Sequence, residues 1–119
     1  PVEKLGEILT SLEREGFISE FRFARAAAAD KFRFEKWGRN KIRHFLLQHH
    51  ISEAAVEEAL QSIDEEEYRT LILRELKKKN DTIRSGTLWE RKSKLYRFAQ
   101  GRGYENDLIM QALDQIVNE

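Results

Sequence analysis

The chain has 119 residues, of which 40% are apolar and 35% charged, with one proline, no cysteine and a formal net charge of zero. The absence of cysteine excludes disulfides and thiolate chemistry, and no apolar run approaches the roughly 20 residues that span a bilayer. Since no secretory signal pattern is present either, we expect a soluble, cytoplasmic and predominantly helical protein, built as one domain or as a short array of repeated modules.

The first eighteen residues predict the end of a repeated unit. Ile8 and Leu12 lie one helical turn apart, and Gly16 follows in the position of a helix-ending glycine. We therefore expect residues 1–18 to be the C-terminal fragment of a first repeat that leads into the next unit.

Residues 19–63 predict a complete three-helix unit. Ser19 has the chemistry of an N-cap for a helix over 20–32, in which an alanine run offers a small face for close packing. A second helix is expected over 39–48, and Ser52 opens a third. The predicted inward positions are Ile42, Phe45, Leu46, His49, Val56, Ala59, Leu60 and Ile63.

The remainder of the chain repeats this plan. Phe23 falls on Tyr68 at an offset of 45 residues, whereas Ile42 falls on Leu95 at an offset of 53. A second three-helix unit is therefore predicted over 64–119.

The difference of eight residues between these offsets predicts an insertion in the second unit. It is placed near 77–87, a stretch that is typical of a polar, basic loop. Asp64 with Glu67 makes a capping-box-like start to the unit. The predicted inward positions are Leu71, Ile72, Leu76, Leu88, Leu95, Phe98, Ala99, Leu108, Ile109, Ala112, Leu113 and Ile116.

The predicted fold is all-α, with tandem three-helix repeats that form an elongated, curved helical array. The charges follow the repeat. Residues 22–43 carry eight basic and two acidic side chains, 44–68 carry seven acidic side chains and no Lys or Arg, and 69–102 carry eleven basic and three acidic. Basic first and middle helices therefore alternate with acidic third helices, which concentrates charge in local stripes.

The basic stripes contain the candidate partner-binding surface. If the units stack, their cations line one side of the array, where they suit phosphates or an acidic protein surface. The candidates are Lys36, Arg39, Arg43, Arg91, Lys92, Lys94, Arg97 and Arg102. The alternative is a solvated helix face whose charges pair with the acidic third helices.

Four aromatic residues lie near these cations in sequence: Trp37, Trp89, Tyr96 and Tyr104. Such residues stack on bases or anchor interfaces, although core packing is the more common role. Trp89 is the exception, because on its helix it points about 100° away from the line of apolar residues.

The sequence contains no constellation typical of catalysis or metal binding. His44 and His49 are five residues apart, which does not place them on one helical face, and no nearby carboxylate completes a site. We expect His49 to pack inward and His44 and His50 to lie at the surface. No phosphate-binding glycine loop and no serine with a suitable base is present. We therefore expect no catalytic residues, no metal and no cofactor.

Three segments carry a resemblance to a known family. They are GFISEFRFARAAA at 16–28, WGRNKIRHFLLQHHIS at 37–52 and YRFAQGRGYENDLIMQAL at 96–113. In this order they resemble the junction, middle and closing motifs of RecX, a family of regulators of the RecA recombinase. The chain departs from the family pattern at Ser19 and Phe21, where acids are common, and at His50, where a glycine is usual.

The resemblance implies a function without catalysis. Members of the family bind RecA nucleoprotein filaments in the helical groove and restrain ATP hydrolysis and strand exchange, in homologous recombination, DNA repair and the SOS response. We expect this chain to do so as a monomer without a cofactor, using the basic residues of both units.

Two other binding functions remain open from the residues alone. One is direct DNA binding, in which the basic rows contact phosphates and the aromatics stack on bases. The other is a helical adaptor whose acidic third helices, including Glu57 and Glu58, form the interface. An enzyme is the remaining alternative, and no motif supports it.

Overall fold

The computed structural model describes the backbone of residues 2–84 and 86–117, and the side chains of residue 11 and of residues 13–84 and 86–117. Within these residues the chain forms six α-helices and no strand. The helices are α1 (Val2–Arg33), α2 (Arg39–Gln48), α3 (Glu53–Gln61), α4 (Glu65–Thr82), α5 (Leu88–Arg102) and α6 (Asn106–Val117). The molecule measures 75 × 24 × 21 Å, so the predicted all-α fold and elongated shape are confirmed.

The helices pack as two successive three-helix units. α1 and α2 pack against α3, and α4 and α5 pack against α6. The buried apolar stripe of each helix contributes to one continuous core. Its largest fully buried side chains are Tyr68, Tyr104, Ile42, Leu46, Ile72, Leu76, Leu95, Ile109 and Val56.

Among the described residues, side-chain caps are seen at the starts of α3, α4 and α5. The Ser52 hydroxyl accepts from the backbone N–H of Ala55 (3.3 Å), as predicted for the start of α3. The Asp64 carboxylate accepts from the N–H of Glu67 (2.9 Å), which confirms the predicted start of α4. At the start of α5, Thr87 plays the same role.

α1 is one continuous helix, whereas the sequence predicted a helix ending at Gly16 and another beginning at Ser19. Both residues lie inside α1. A Cβ built on Gly16 meets no atom within 4 Å, and an interior glycine costs a helix only about 1 kcal/mol. The alanine-rich sequence that follows carries the helix through this point, so the predicted break and cap are wrong. The unit boundaries after residues 18 and 63 stay predictions.

The first helices of the two units align at an offset of 44 residues rather than the predicted 45. At this offset buried Ala24 corresponds to buried Tyr68, and buried Phe32 corresponds to buried Leu76. The predicted offset matched Tyr68 with Phe23, which is 47% exposed. The buried position of α1 is occupied by the small residue Ala24 instead, so the predicted offset is wrong by one residue.

The insertion in the second unit lengthens two helices instead of forming a loop. α4 extends five residues beyond the position equivalent to the end of α1, and α5 starts four residues before the position equivalent to the start of α2. The connections between them have the same length in both units, five residues at 34–38 and at 83–87. The insertion is therefore nine residues long, and all of it is helical.

The predicted loop over 77–87 is wrong over 77–82, which belongs to α4. Lysine favours helices, and the two extensions are held together by Arg91, whose guanidinium donates to the side-chain oxygen of Asn80 (2.8 Å). Leu88, predicted to face inward, lies on the α5 extension and is 57% exposed.

Both middle helices end in the same backbone motif, although the residues differ. Gly103 follows α5 with a φ of 90°, and His50 follows α2 with a φ of 61°. In each unit the next residue's N–H donates to the carbonyl five residues before it, at 3.2 Å after Gly103 and 3.1 Å after His50. The exit is therefore a Schellman turn in both units, with a histidine where glycine is favoured. His49, predicted to pack inward, is exposed, with its ring centroid 4.3 Å from that of Phe45.

Candidate partner-binding surface

The two units meet where the N-terminus of α2 lies against the C-terminus of α5. The N–H of Gly38 donates to the carbonyl of Arg102 (2.7 Å), and the N–H of Asn40 donates to the carbonyl of Gly103 (3.0 Å). The backbone N–H groups at the start of α2 and the carbonyls at the end of α5 have no partner within their own helix, and here they bond to each other. The positive end of one helix dipole also meets the negative end of the other. This contact explains why α2 has no side-chain cap of its own.

The junction leaves no room for a side chain at its two glycines. A Cβ on Gly38 would lie 2.4 Å from the carbonyl oxygen of Gly103, and a Cβ on Gly103 would lie 2.4 Å from the Cβ of Lys41. The Tyr104 hydroxyl donates to the carbonyl of Lys36 (2.7 Å) and extends the contact. Backbone therefore packs directly on backbone between the units.

A charged network closes the same junction. The Arg39 guanidinium lies 2.5 Å from the Glu65 carboxylate and 2.9 Å from the Glu105 carboxylate, over the ring of Tyr68. The Tyr68 hydroxyl accepts from the N–H of Arg39 (2.9 Å) and donates to Glu105. Burial, together with this bond to Glu105, raises the pKa of Tyr68 above its usual 10.0. The Arg39 side chain, predicted as a partner contact, thus joins the two units.

Two more predicted cations have partners within their own unit. Arg43 on α2 pairs with Glu57 on α3 at 2.9 Å, and Arg91 holds the helical extensions together through Asn80. The Arg43–Glu57 pair matches the alternative in which basic middle helices pair with the acidic third helices. The Arg91 contact does not, because Asn80 is neutral and lies on α4.

Lys36 and Arg102 lie close to the junction. Lys36 has a left-handed backbone with a φ of 62°, and the Arg102 guanidinium lies 4.8 Å from the centre of the Phe98 ring. The groove that Lys36 lines also contains the acidic residues Asp64, Glu66 and Glu67. Lys36 therefore lies on a surface of mixed charge, and Arg102 packs on an aromatic ring.

Lys94 and Arg97 line an open groove between the end of α4 and α5. This groove, here named the basic groove, has a volume of about 650 Å³. Its residues are Lys79, Thr82, Ile83, Arg84, Lys94, Arg97 and Phe98. None of its four cations takes part in an ion pair among the described side chains. Because Lys79 lies on the α4 extension and Arg84 in the connection that follows, the basic groove is specific to the second unit.

Lys92 and Arg97 border another groove, between α5 and α6, whose surface is mostly apolar. This apolar groove has a volume of about 520 Å³. Its residues are Trp89, Lys92, Ser93, Tyr96, Arg97, Met110 and Leu113. Trp89 is 75% exposed, which confirms the outward direction expected from its helical position.

The other predicted aromatics pack more deeply. Tyr104 is buried at the junction, and Trp37 is half-buried against Phe45, with ring centroids 5.8 Å apart. Tyr96 is half-buried, and its hydroxyl donates to the side chain of Asn106 (2.5 Å). Core packing therefore describes most of these residues, as expected.

Neither Arg84 nor Met110 was among the candidates predicted from the sequence. Arg84 was predicted to lie in a loop, so its position beside α5 was not predicted. A signal was available for Met110, since it lies off the buried stripe of an otherwise apolar helix and is 47% exposed. Among the described residues, no group of acidic or histidine side chains is placed to hold a metal ion. No described helix is long and apolar enough to cross a membrane.

Comparison with known proteins identifies the family. The family model described as "RecX, second three-helix domain" matches residues 19–60, and "RecX, third three-helix domain" matches residues 65–113. The chain belongs to the RecX family. No solved structure matches the chain significantly.

Curated RecX relatives extend the match to nearly the whole chain. "Regulatory protein RecX" of Clostridium botulinum (strain Eklund 17B / Type B) is 29% identical over 118 residues, covering 98% of this chain and 55% of the relative. The protein of the same name from Chlorobium phaeobacteroides (strain BS1) is 30% identical over 112 residues, covering 94% of this chain and 72% of the relative. The chain thus spans about half the length of the clostridial relative, which is named as a regulatory protein.

Proposed function

We propose that the chain binds the RecA nucleoprotein filament and restrains its ATP hydrolysis and strand exchange. Membership of a family of regulatory proteins supports the regulatory role. The observation that supports the binding surface is the basic groove. Three of its cations are exposed and Lys79 is half-buried, and none of the four forms an ion pair among the described side chains. Cations without internal partners attract an acidic protein surface or phosphates.

The mechanism follows from the shape and the junction. An array 75 Å long contacts more than one protomer of a filament. Backbone hydrogen bonds and glycine packing between α2 and α5 hold the two units in one relative orientation. A stiff element that bridges protomers opposes the movements between them that nucleotide turnover and strand exchange need.

The test compares charge reversal inside and outside the basic groove. The Lys94→Glu/Arg97→Glu variant removes two groove cations, whereas Lys77→Glu/Lys78→Glu makes the same change of net charge on exposed residues of α4 that do not line the groove. Co-sedimentation with RecA filaments on single-stranded DNA and a non-hydrolysable ATP analogue measures binding, and an ATPase assay measures inhibition. We expect the groove variant to bind at least about tenfold more weakly and the control within about twofold of the unmodified chain. Absence of filament binding by the unmodified chain overturns the proposal.

The basic groove also favours direct DNA binding as a second candidate function. Four phosphate contacts on single-stranded DNA predict that log K falls with log salt at a slope of roughly −3. Fluorescence anisotropy with a labelled oligothymidylate at several salt concentrations measures that slope in the absence of RecA. A steep slope that Lys94→Glu/Arg97→Glu abolishes supports DNA binding, and undetectable binding at low salt rejects it.

A further inference from the structure

The apolar groove leaves two large side chains exposed to solvent. Trp89 is 75% exposed and Met110 is 47% exposed. The acidic residues of α6, Asp107 and Asp114, do not line the groove, whereas Lys92 and Arg97 do. The groove is therefore an apolar surface with a basic edge.

The first unit shows that this apolar surface is not a general property of the repeat. At the offset of 53 residues that aligns the middle helices, Tyr96 corresponds to Arg43 and Met110 corresponds to Glu57. In the first unit these two positions form an ion pair at 2.9 Å. The second unit thus carries an aromatic ring and a thioether at the two positions where the first unit carries opposite charges. In both units these positions lie between the middle helix and the third helix.

The first unit also indicates which chemical group binds at the basic edge of this groove. Lys92 occupies the position that corresponds to Arg39, whose guanidinium is bound by two carboxylates, Glu65 and Glu105, supplied by the neighbouring unit. Among the described side chains, no carboxylate forms an ion pair with Lys92. We therefore expect a carboxylate of a bound partner to pair with Lys92, as Glu65 and Glu105 pair with Arg39.

The starts of α2 and α5 are capped differently, which indicates that the partner in the groove is not a further repeat. The amides at the start of α2 are satisfied by the next unit, but α5 begins with its own cap, in which Thr87 accepts from the N–H of Glu90 (3.2 Å). The cap satisfies the N–H of Glu90, and the N–H of Arg91 donates to the carbonyl of Thr87. Because α5 is capped by a side chain of its own unit, we expect the occupant to bind through its side chains, which suits a helix lying in a groove.

We propose that the apolar groove binds an acidic amphipathic helix of a partner protein. Apolar residues on one face of that helix contact Trp89, Tyr96 and Met110, and carboxylates along its flank pair with Lys92 and Arg97. An exposed tryptophan beside basic side chains is the composition typical of interface residues that dominate binding energy. The proposal does not depend on RecA as the partner, because a synthetic peptide tests it.

The experiment uses a synthetic peptide of about eighteen residues, with leucine at i, i+3, i+4 and i+7 on one face and glutamate on both flanks. A second peptide replaces every glutamate by lysine. Each is titrated to about 1 mM into the ¹⁵N-labelled chain, and amide chemical shifts locate and quantify binding. We expect the acidic peptide to shift amides of α5 and α6 around the groove, and the basic peptide to bind at least about tenfold more weakly.

Two variants separate this groove from other exposed apolar residues. Trp89→Ala/Met110→Ala removes its surface, and Phe34→Ala/Leu47→Ala removes two exposed side chains elsewhere, which are 78% and 42% exposed. We expect the first variant to weaken peptide binding at least about tenfold and the second to leave it unchanged. Equal losses in both variants, or no shifts around α5 and α6 with the acidic peptide, overturn the proposal.

Other occupants of the groove give different results. Sedimentation of the unmodified chain as a dimer that Trp89→Ala/Met110→Ala dissociates assigns the groove to a second copy of the chain. Shifts around Trp89 and Tyr96 with oligothymidylate, but not with the acidic peptide, assign it to base stacking. Either result overturns the proposal.

Discussion

At the scale of single residues, the turn after each middle helix depends on a left-handed backbone. Gly103 adopts it at little cost because glycine has no Cβ, whereas His50 adopts it with a Cβ close to the following carbonyl. The sequence identified His50 as a departure from the family pattern. The structure adds that the turn keeps its geometry and that the histidine carries the conformational cost.

Replacing His50 with glycine should therefore stabilise the protein. We expect His50→Gly to raise the free energy of unfolding by about 0.5–1 kcal/mol, since the relief of backbone strain exceeds the added entropy of the unfolded chain. Urea denaturation followed by circular dichroism measures this change. His49→Gly is the matched control, because His49 has an ordinary φ of −89°, and it should lower stability. A His50→Gly variant less stable than the unmodified chain contradicts the prediction.

The glycines at the junction are required because the two backbones approach too closely to leave room for a Cβ atom. We expect Gly38→Ala to lower the free energy of unfolding by about 2 kcal/mol or more, because its Cβ would lie 2.4 Å from a backbone oxygen of the other unit. Gly101→Ala is the control: a Cβ there meets nothing within 4 Å, and alanine in a helix is favoured by about 0.5–1 kcal/mol. Thermal unfolding of both variants checks this contrast, and equal effects at the two glycines would contradict it.

At the scale of helices, two buried phenols link the first unit to the second. Tyr68 on α4 bonds to the start of α2, and Tyr104, just after α5, bonds to the connection before α2. Burial raises the pKa of Tyr104 to about 12, from an ordinary value of 10.0. Because the pKa of Tyr104 is higher in the folded state than in the unfolded state, the stabilisation by the protonated phenol is complete below pH 10. It is lost as the pH rises through 12. Stability should therefore fall with a slope of about 1.4 kcal/mol per pH unit from this group between those values.

Substitution of single tyrosines tests which phenol makes the free energy of unfolding fall above pH 10. We expect Tyr104→Phe to reduce the dependence of urea midpoint on pH above 10, while lowering stability at neutral pH through loss of the hydrogen bond to Lys36. Tyr96→Phe, which changes a half-buried phenol on α5, is the comparison variant. The prediction fails if both variants lose the slope equally.

At the scale of the whole molecule, the elongated shape combines the 32-residue helix α1 with two units that are joined at the junction. The radius of gyration of the Cα atoms is 19.6 Å, compared with about 13.5 Å for a compact protein of this length. Since the units are joined by backbone hydrogen bonds, buried tyrosines and close glycine packing, the shape should not depend on surface charge.

Small-angle X-ray scattering tests this expectation. We expect a radius of gyration close to 20 Å both in low salt and at about 0.5 M salt, where exposed ion pairs are screened. Gly38→Ala provides the comparison, because opening the junction should broaden the distribution of interatomic distances. A salt-dependent change in the unmodified chain would show that charge pairing, rather than backbone contact, holds the two units together.

The sequence by itself determined the helical class, the tandem three-helix plan, most of the buried stripe and the helix starts at Ser52 and Asp64. These features depend on local periodicity and capping, which short stretches of sequence contain. It also determined that Trp89 points outward, because the direction of a side chain on a helix follows from spacing alone.

Only the tertiary structure decided which cations remain accessible. Arg39 and Arg97 occupy similar basic stretches, yet Arg39 is bound by two carboxylates from distant parts of the chain and Arg97 lines two open grooves. The helical extension over 77–82 and the match between Gly38 and Gly103 also depend on neighbours far away in sequence. Ion pairing and close packing are set by which elements meet, and local patterns do not contain that information.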